Sequence, residues 1–423
     1  MKRRAAATRS GGPSGGRVAG RSGGRSGGRV GGASIGRVAG RGRYLWQRVA
    51  IFAIVGTAGS FLFVAAALSS AWYPSGQQAP DLSTPKGLYD AGCRYCHADD
   101  GRGVDLSTVA FDTPLPDFTD CSFATREPDA DWFIVTHQGG PIRGFDHSMP
   151  AYNEAYSDEQ INMVVDYLRT FCADDRWPRG ELNYPRPIVT EKAYPEDELV
   201  FTMGANVDGP GGVAGAFQYE KRFLAAGQFE VFVPIGALQL ETDGAWLGGI
   251  GDIEVGYKHV LAQSLDRGMI FSGNLAVKLP TGDADKGLGT GTFVFEPFVS
   301  AGFGLPRNSF VHVQTGVELP TNTEKADREF FWRGVVGTTF TAGRFGRAFS
   351  PMVEILGVTE FEDEQTVNNL DLLPQVQFTL NTRQHIMANF GVRFPVNNTE
   401  GRSTQLIFYL LWEWFDGGFF DGW

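Results

Sequence analysis

Four cysteines in 423 residues are too few for a disulfide-built scaffold. Acidic residues are missing from positions 1–71, where 12 Lys and Arg stand without a counter-charge. Beyond that point the balance reverses to 25 basic against 48 acidic residues, a formal charge of −23. An acidic body keeps no basic face to displace counterions from a phosphate backbone, which excludes nucleic acid as its partner. A hydrophobic content of 42% excludes a disordered chain and can fill real cores over two or three domains. Helical periodicity is missing from residue 198 onward. Composition names no function, but two local patterns do.

Residues 2–43 are almost entirely Arg, Gly, Ser and Ala, with no apolar period to offset the entropy of ordering. An apolar run extends from Val49 to Leu68, and small residues at Ser69 and Ala71 suit a signal-peptidase site. Residues 1–71 therefore read as a basic leader with a secretory signal peptide removed after Ala71. The alternative is a retained transmembrane anchor over 49–68, since about 20 apolar residues can span a bilayer. Either way, the chain beyond residue 72 leaves the cytoplasm.

The strongest chemical signal is Cys93-Arg94-Tyr95-Cys96-His97. Two cysteines at this spacing can form thioethers to both vinyl groups of one haem, and the adjacent histidine can ligate the iron. A thiol redox pair or half a zinc site uses the same Cys-x-x-Cys spacing. No second cysteine pair has metal-ligand spacing, and no thioredoxin-like βαβ pattern surrounds this one. Ser83 and Pro85 open a short helical stretch, Lys86 to Gly92, that leads into the motif. Ser148-Met149-Pro150 lies far downstream, with Met149 52 positions after His97. Ser157 and Gln160 then read as a capping box, and Ile161, Val164, Val165 and Leu168 give the next helix one apolar face.

On these residues, 80–172 resembles a class I c-type cytochrome. That family places its attachment motif after the first helix and a distal methionine ligand before the last. The resemblance implies one covalently attached haem c on Cys93 and Cys96, with His97 and Met149 as axial ligands. His/Met ligation raises the reduction potential and fills both axial sites, which suits electron transfer. His147 is the fallback distal ligand, with His137 behind it. The remaining cysteines, Cys121 and Cys172, most simply pair with each other in an exported protein; two free buried thiols are the alternative.

Residues 173–197 carry four prolines among charged residues and read as a semi-extended linker. After them, alternation takes over. Period-2 runs occupy 252–261, 268–280, 292–304, 309–320, 329–341, 385–395 and 404–415. Weaker ones at 198–207, 214–223, 227–240, 349–360 and 371–382 bring the count to about twelve. Many are long enough to cross an apolar band of about 25 Å when tilted. Connections at 306–308 and 381–384 are tight, whereas 281–291, 320–329 and 360–371 read as long. Leu406, Phe408, Leu410, Trp412 and Trp414 share one face, which resembles the aromatic-ended final strand of outer-membrane proteins. Glu254, Lys258, Lys278, Glu296, Arg333 and Arg393 fall on the opposite faces, where they would line a narrow or plugged lumen.

The expected fold is thus multi-domain: an all-α cytochrome c domain, then an antiparallel, transmembrane β-barrel of about twelve strands over 198–423. A soluble β domain is the alternative for that second part. The architecture is similar to fused cytochrome–porin proteins, some of which oxidise iron. It implies one-electron transfer at the outer membrane, a periplasmic haem domain, lipid around the barrel, and redox proteins as partners. Two alternatives stand: a periplasmic electron shuttle whose barrel is only an anchor or passive pore, and an iron-oxidising cytochrome–porin. No acid–base or nucleophile constellation stands out in 195–423, so an electron-transfer protein fits better than an enzyme.

Overall fold

The computed structural model describes residues 79–209, 211–239, 245–362 and 365–413. The leader 1–71, with its candidate signal or anchor at 49–68, lies outside the described residues, as does Trp414. No helix among the described residues is long and apolar enough to cross a membrane.

The first part is a small helical domain. Helix α1 spans Pro85–Gly92, α2 Arg94–His97, α3 Cys121–Ala124, α4 Asp129–Gln138 and α5 Asp158–Arg169. Thr84, rather than Ser83, caps α1 by accepting from the Gly87 N–H at 3.1 Å, and Pro85 sits at the first helical position, where no N–H is needed. Ser157 and Gln160 close both halves of the capping box on α5. The apolar stripe Ile161, Val164, Val165 and Leu168 is buried against Leu88 and Tyr89 of α1, together with Phe118 and Trp132. Each such side chain contributes roughly 1.5–3 kcal/mol by leaving water. Cys121 and Cys172 form a disulfide with their Cα atoms 5.3 Å apart, tying α3 to the end of α5.

The second part is a sheet rolled into a ring. Its long strands are β1 Glu198–Asn206, β2 Gly212–Phe223, β3 Gly227–Gln239, β5 Glu254–Ser264, β6 Met269–Lys278 and β7 Val294–Leu305. The ring continues with β8 Ser309–Pro320, β9 Arg328–Thr338, β11 Ala348–Phe361, β12 Thr366–Thr379, β13 Ile386–Pro395 and β14 Gln405–Glu413. Short β4 (Trp246–Ile250) and β10 (Phe340–Thr341) pair with β3 and β11. All pairings are antiparallel, and two of them close the circle. Strand β1 pairs with β14 from Glu198↔Glu413 to Asn206↔Gln405, and β9 pairs with β11 from Arg328↔Phe361 to Gly337↔Met352. Among the described residues, twelve strands therefore form a closed antiparallel barrel. Closure leaves no free edge.

Every one of the twelve alternating runs became a ring strand. The exception in detail is the long connection expected at 360–371. Strand β11 continues to Phe361 and β12 starts at Thr366, so the connection is only 362–365. Side-chain pairs Thr359–Asn368 (2.8 Å) and Glu360–Asn369 (2.9 Å) bridge the two arms of this hairpin. The polar run here does not mark the end of the ladder, which pairs as far as Phe361↔Thr366. The tight three-residue turn at 306–308 places Arg307 and Asn308 both at positive φ.

The polarity of the barrel is inside out relative to a soluble protein. Phe217, Tyr219, Phe229, Val255, Leu275, Phe295, Val313, Trp332, Ile355 and Phe390 are exposed on its exterior. Glu220, Gln228, Lys258, Ser272, His312, Gln314, Glu354 and Asn389 are buried within it. Of the charges expected in the lumen, Lys278 meets Glu318 at 2.7 Å and Arg393 meets Asp371 at 2.6 Å.

The Pro-rich segment read as a linker does more than connect. Residues 183–197 run through the lumen, where many of their polar groups bond to the wall. His312 on β8 bonds the Pro185 carbonyl at 3.1 Å, and Tyr409 on β14 donates to the Arg186 carbonyl at 2.7 Å. The Arg186 guanidinium meets Glu198, Glu220 at 2.7 Å and Gln218 at 2.9 Å. The Ser272 hydroxyl donates to the Ala193 carbonyl at 2.6 Å, and the Glu196 N–H to Gln228 at 2.7 Å. A buried stretch of loop is tolerable because these polar groups find partners on the wall.

Candidate haem centre

Cys93 sits at the junction of α1 and α2, and its carbonyl accepts from Cys96 N–H (3.1 Å) and His97 N–H (3.0 Å). One helical turn thus puts both thiols and the imidazole on a single rigid element. Both cysteines are free thiols; Cys93 is buried and Cys96 half-buried. The Tyr89 hydroxyl, fully buried on α1, donates to the Ala98 carbonyl at 2.6 Å and lies 3.2 Å from that of His97. Gly101, in the next turn, has φ +77°, and a Cβ there would press on the Phe171 ring at 2.8 Å. The turn needs glycine on both counts.

The His97 ring packs 5.1 Å from Phe118, which lies 5.2 Å from Trp132. Its Nδ1 is buried without a hydrogen-bond partner, and burial pushes the imidazole pKa down to about 4. A neutral ring at pH 7 is the form that binds a metal. Burial, then the neighbouring Cys96, pushes the Cys93 thiol up to about 12. A redox-active Cys-x-x-Cys pair has a depressed thiol pKa, so this environment runs against that chemistry.

Met149 lies in a loop behind α4. Its carbonyl accepts from the Gly140 N–H at 3.0 Å, closing the loop 140–149. Three residues on, the Tyr152 hydroxyl donates to the Gly92 carbonyl, next to Cys93, and the Tyr156 hydroxyl donates to Leu88 at 2.9 Å. Two tyrosines thus staple the methionine segment to the helix that carries the motif. A cleft of about 610 Å³ opens between Ala110–Pro114 and Asp146–Ser148. Its walls include the loop that carries Met149 but not Cys93–His97, of which the His97 ring packs against Phe118.

The rival histidines are placed differently. The His147 side chain is 91% exposed and stands 3.5 Å from Asp146 at the cleft rim. His137 has Gln138 at 2.7 Å on Nδ1 and Asp158 at 3.3 Å on Nε2, and its ring lies 5.2 Å from Phe345 of the barrel. His137 is committed to the junction between the two parts. Sequence reasoning passed over Tyr89, Tyr152 and Tyr156. Their signal was faint, a pair of tyrosines four residues apart just after the Met-Pro segment.

The donor set fits a haem: two unoxidised thiols one turn apart, a neutral imidazole with an unpartnered nitrogen, and an aromatic wall. Residues 80–168 match the family model described as cytochrome C oxidase, cbb3-type, subunit III. No curated protein matches the chain. Among solved structures, an outer membrane channel from Pseudomonas putida F1 is similar at 8% identity and a TM-score of 0.41, over 54% of this chain and 100% of that one. The KdgM porin is similar at 9% identity and a TM-score of 0.34, over 51% of this chain and 99% of its own. The NanC porin gives 8% and 0.35, over 51% and 98%. The closed ring of strand pairs defines the barrel independently of these likenesses. Residues 80–168 are thus a cytochrome c-type domain, a class that binds haem, joined in one chain to a closed, antiparallel twelve-strand barrel.

Proposed function

We propose that this chain is a monohaem c-type cytochrome that passes single electrons at the periplasmic face of the outer membrane, anchored there by its barrel. Cys93 and Cys96 would hold the porphyrin through thioethers, and His97 and Met149 would ligate its iron. The observation that carries this reading is the Tyr152–Gly92 hydrogen bond, which ties the Met149 segment to the helix turn bearing both thiols and His97. A haem bound there supplies reversible one-electron exchange at iron. The chain's own part is to fix the two ligands before any electron moves. Phe118 and Trp132 keep water from the His97 side.

The membrane reading is supported by the barrel's polarity, since an exterior of Phe, Tyr, Val and Leu is stable only against lipid. The turns support the orientation. The haem domain stands at the end where both β1 and β14 meet and where the connections 224–226, 265–268 and 306–308 are tight; outer-membrane barrels keep such turns in the periplasm. The lumen segment 183–197 favours an anchor over an open pore.

The test is haem staining of the outer-membrane fraction after denaturing electrophoresis, beside a redox titration. The parent should stain and titrate as a one-electron couple. Cys93→Ala with Cys96→Ala should lose the stain. Staining that survives in that variant, or material confined to the soluble fraction, overturns the proposal.

A further inference from the structure

We infer that the barrel positions the distal half of the haem site, its β10–β11 turn (342–347) holding the Met149 loop in place through Arg143. The inference rests on the proposed role of Met149 as an axial ligand.

The loop 139–149 is closed on itself by backbone bonds, Gly140 N–H to Met149 and Phe145 N–H to Gly140, both at 3.0 Å. Gly139 and Gly144 adopt positive φ, and its regular structure is a single 3₁₀ turn at Gly140–Arg143. The side chain that ties it to the barrel is Arg143, only 6% exposed. Its Nε and Nη2 donate to Asp131 of α4 at 3.0 and 2.8 Å, while Nη1 donates to the Phe345 carbonyl of the barrel turn at 3.2 Å. One guanidinium therefore joins the ligand loop, a cytochrome helix and the barrel rim. A lysine has no fork with which to meet both partners.

Neighbouring contacts press the same surfaces together. Arg383, in the β12–β13 turn, lies 4.6 Å from the ring of Phe145, four residues before Met149. Arg344 meets Asp158 at 2.5 Å, and the Phe345 ring packs on His137 at 5.2 Å. His385 of the barrel faces Glu127 at 2.9 Å. The rim thus acts as the outer jaw on a loop whose inner jaw is α4. Arg143 is a positioning residue; it is not a ligand.

The experiment uses the full chain in detergent and reads the midpoint potential and the weak far-red methionine-to-iron band of the ferric protein. Arg143→Gln should weaken that band and lower the midpoint, with haem still covalently bound; Arg143→Lys should recover part of both. Each tenfold loss of the ferrous form's preference for the ligated loop lowers a one-electron midpoint by about 59 mV. Gly346→Val tests the barrel side, because a Cβ there collides with the Ala342 carbonyl and must reshape the turn. It should shift both readouts in the same direction as Arg143→Gln. Unchanged band and midpoint in Arg143→Gln and Gly346→Val overturn the inference. Met149→Ala separates the two readings: if it leaves the parent's potential and band intact, the ligand assignment itself has failed and takes the clamp with it.

Discussion

Thr190 donates to Glu354 twice, through its backbone N–H at 2.9 Å and its hydroxyl at 2.6 Å. The same carboxylate accepts from the Ile188 and Val189 N–H groups at 2.8 and 3.1 Å, so one wall residue of β11 holds three consecutive residues of the lumen segment. This fixes the segment's register inside the barrel and places the protein's own chain in the passage.

That contact sets the expected conductance. The full chain in a planar bilayer should pass little current. Glu354→Ala strips the acceptor from a set of buried donors, each costing about 1–3 kcal/mol when left unpaired. Frequent channel openings are expected in that variant. A parent that already behaves as an open pore would contradict the plug.

The disulfide offers a separate test. Cys121 and Cys172 are 51 positions apart. Closing a loop of that length stabilises by about 4 kcal/mol in the chain-entropy model. Replacing both by Ala should lower the urea midpoint of the haem domain accordingly, with the barrel's heat-modified gel mobility unchanged. An unshifted midpoint would mean that the bridge adds nothing to stability.

The exterior of the barrel makes the membrane reading quantitative. Val313 faces outward near the middle of β8 and is 43% exposed. Val313→Arg should cost about 2–4 kcal/mol of unfolding free energy in liposomes, the penalty for a cation near the bilayer midplane. A soluble β domain would tolerate the same change at an exposed site, so a neutral result in lipid argues for water on that face.

Much of this molecule was readable from local pattern. Cys93, Cys96 and His97 are adjacent in sequence, and the turn that unites them is one helical residue step after another. The capping box at Ser157 and Gln160 is equally local, as is the stripe Ile161, Val164, Val165 and Leu168. Strand positions were legible because a period of two needs only the next few residues. The hairpin at 360–371 reads as a long loop for a related reason: a polar run does not by itself mark the end of a ladder.

Sequence alone determined the haem motif, the helix that carries it and the number of strands, since each depends on residues within a turn or a pleat of one another. Tertiary structure decided which face of those strands meets the exterior and that β1 meets β14. It also decided that 183–197 lies in the lumen and that Arg143 reaches from the ligand loop to Phe345. A guanidinium spanning about 200 positions of chain has no local signature; it appears only when closure of the ring brings the rim beside the loop.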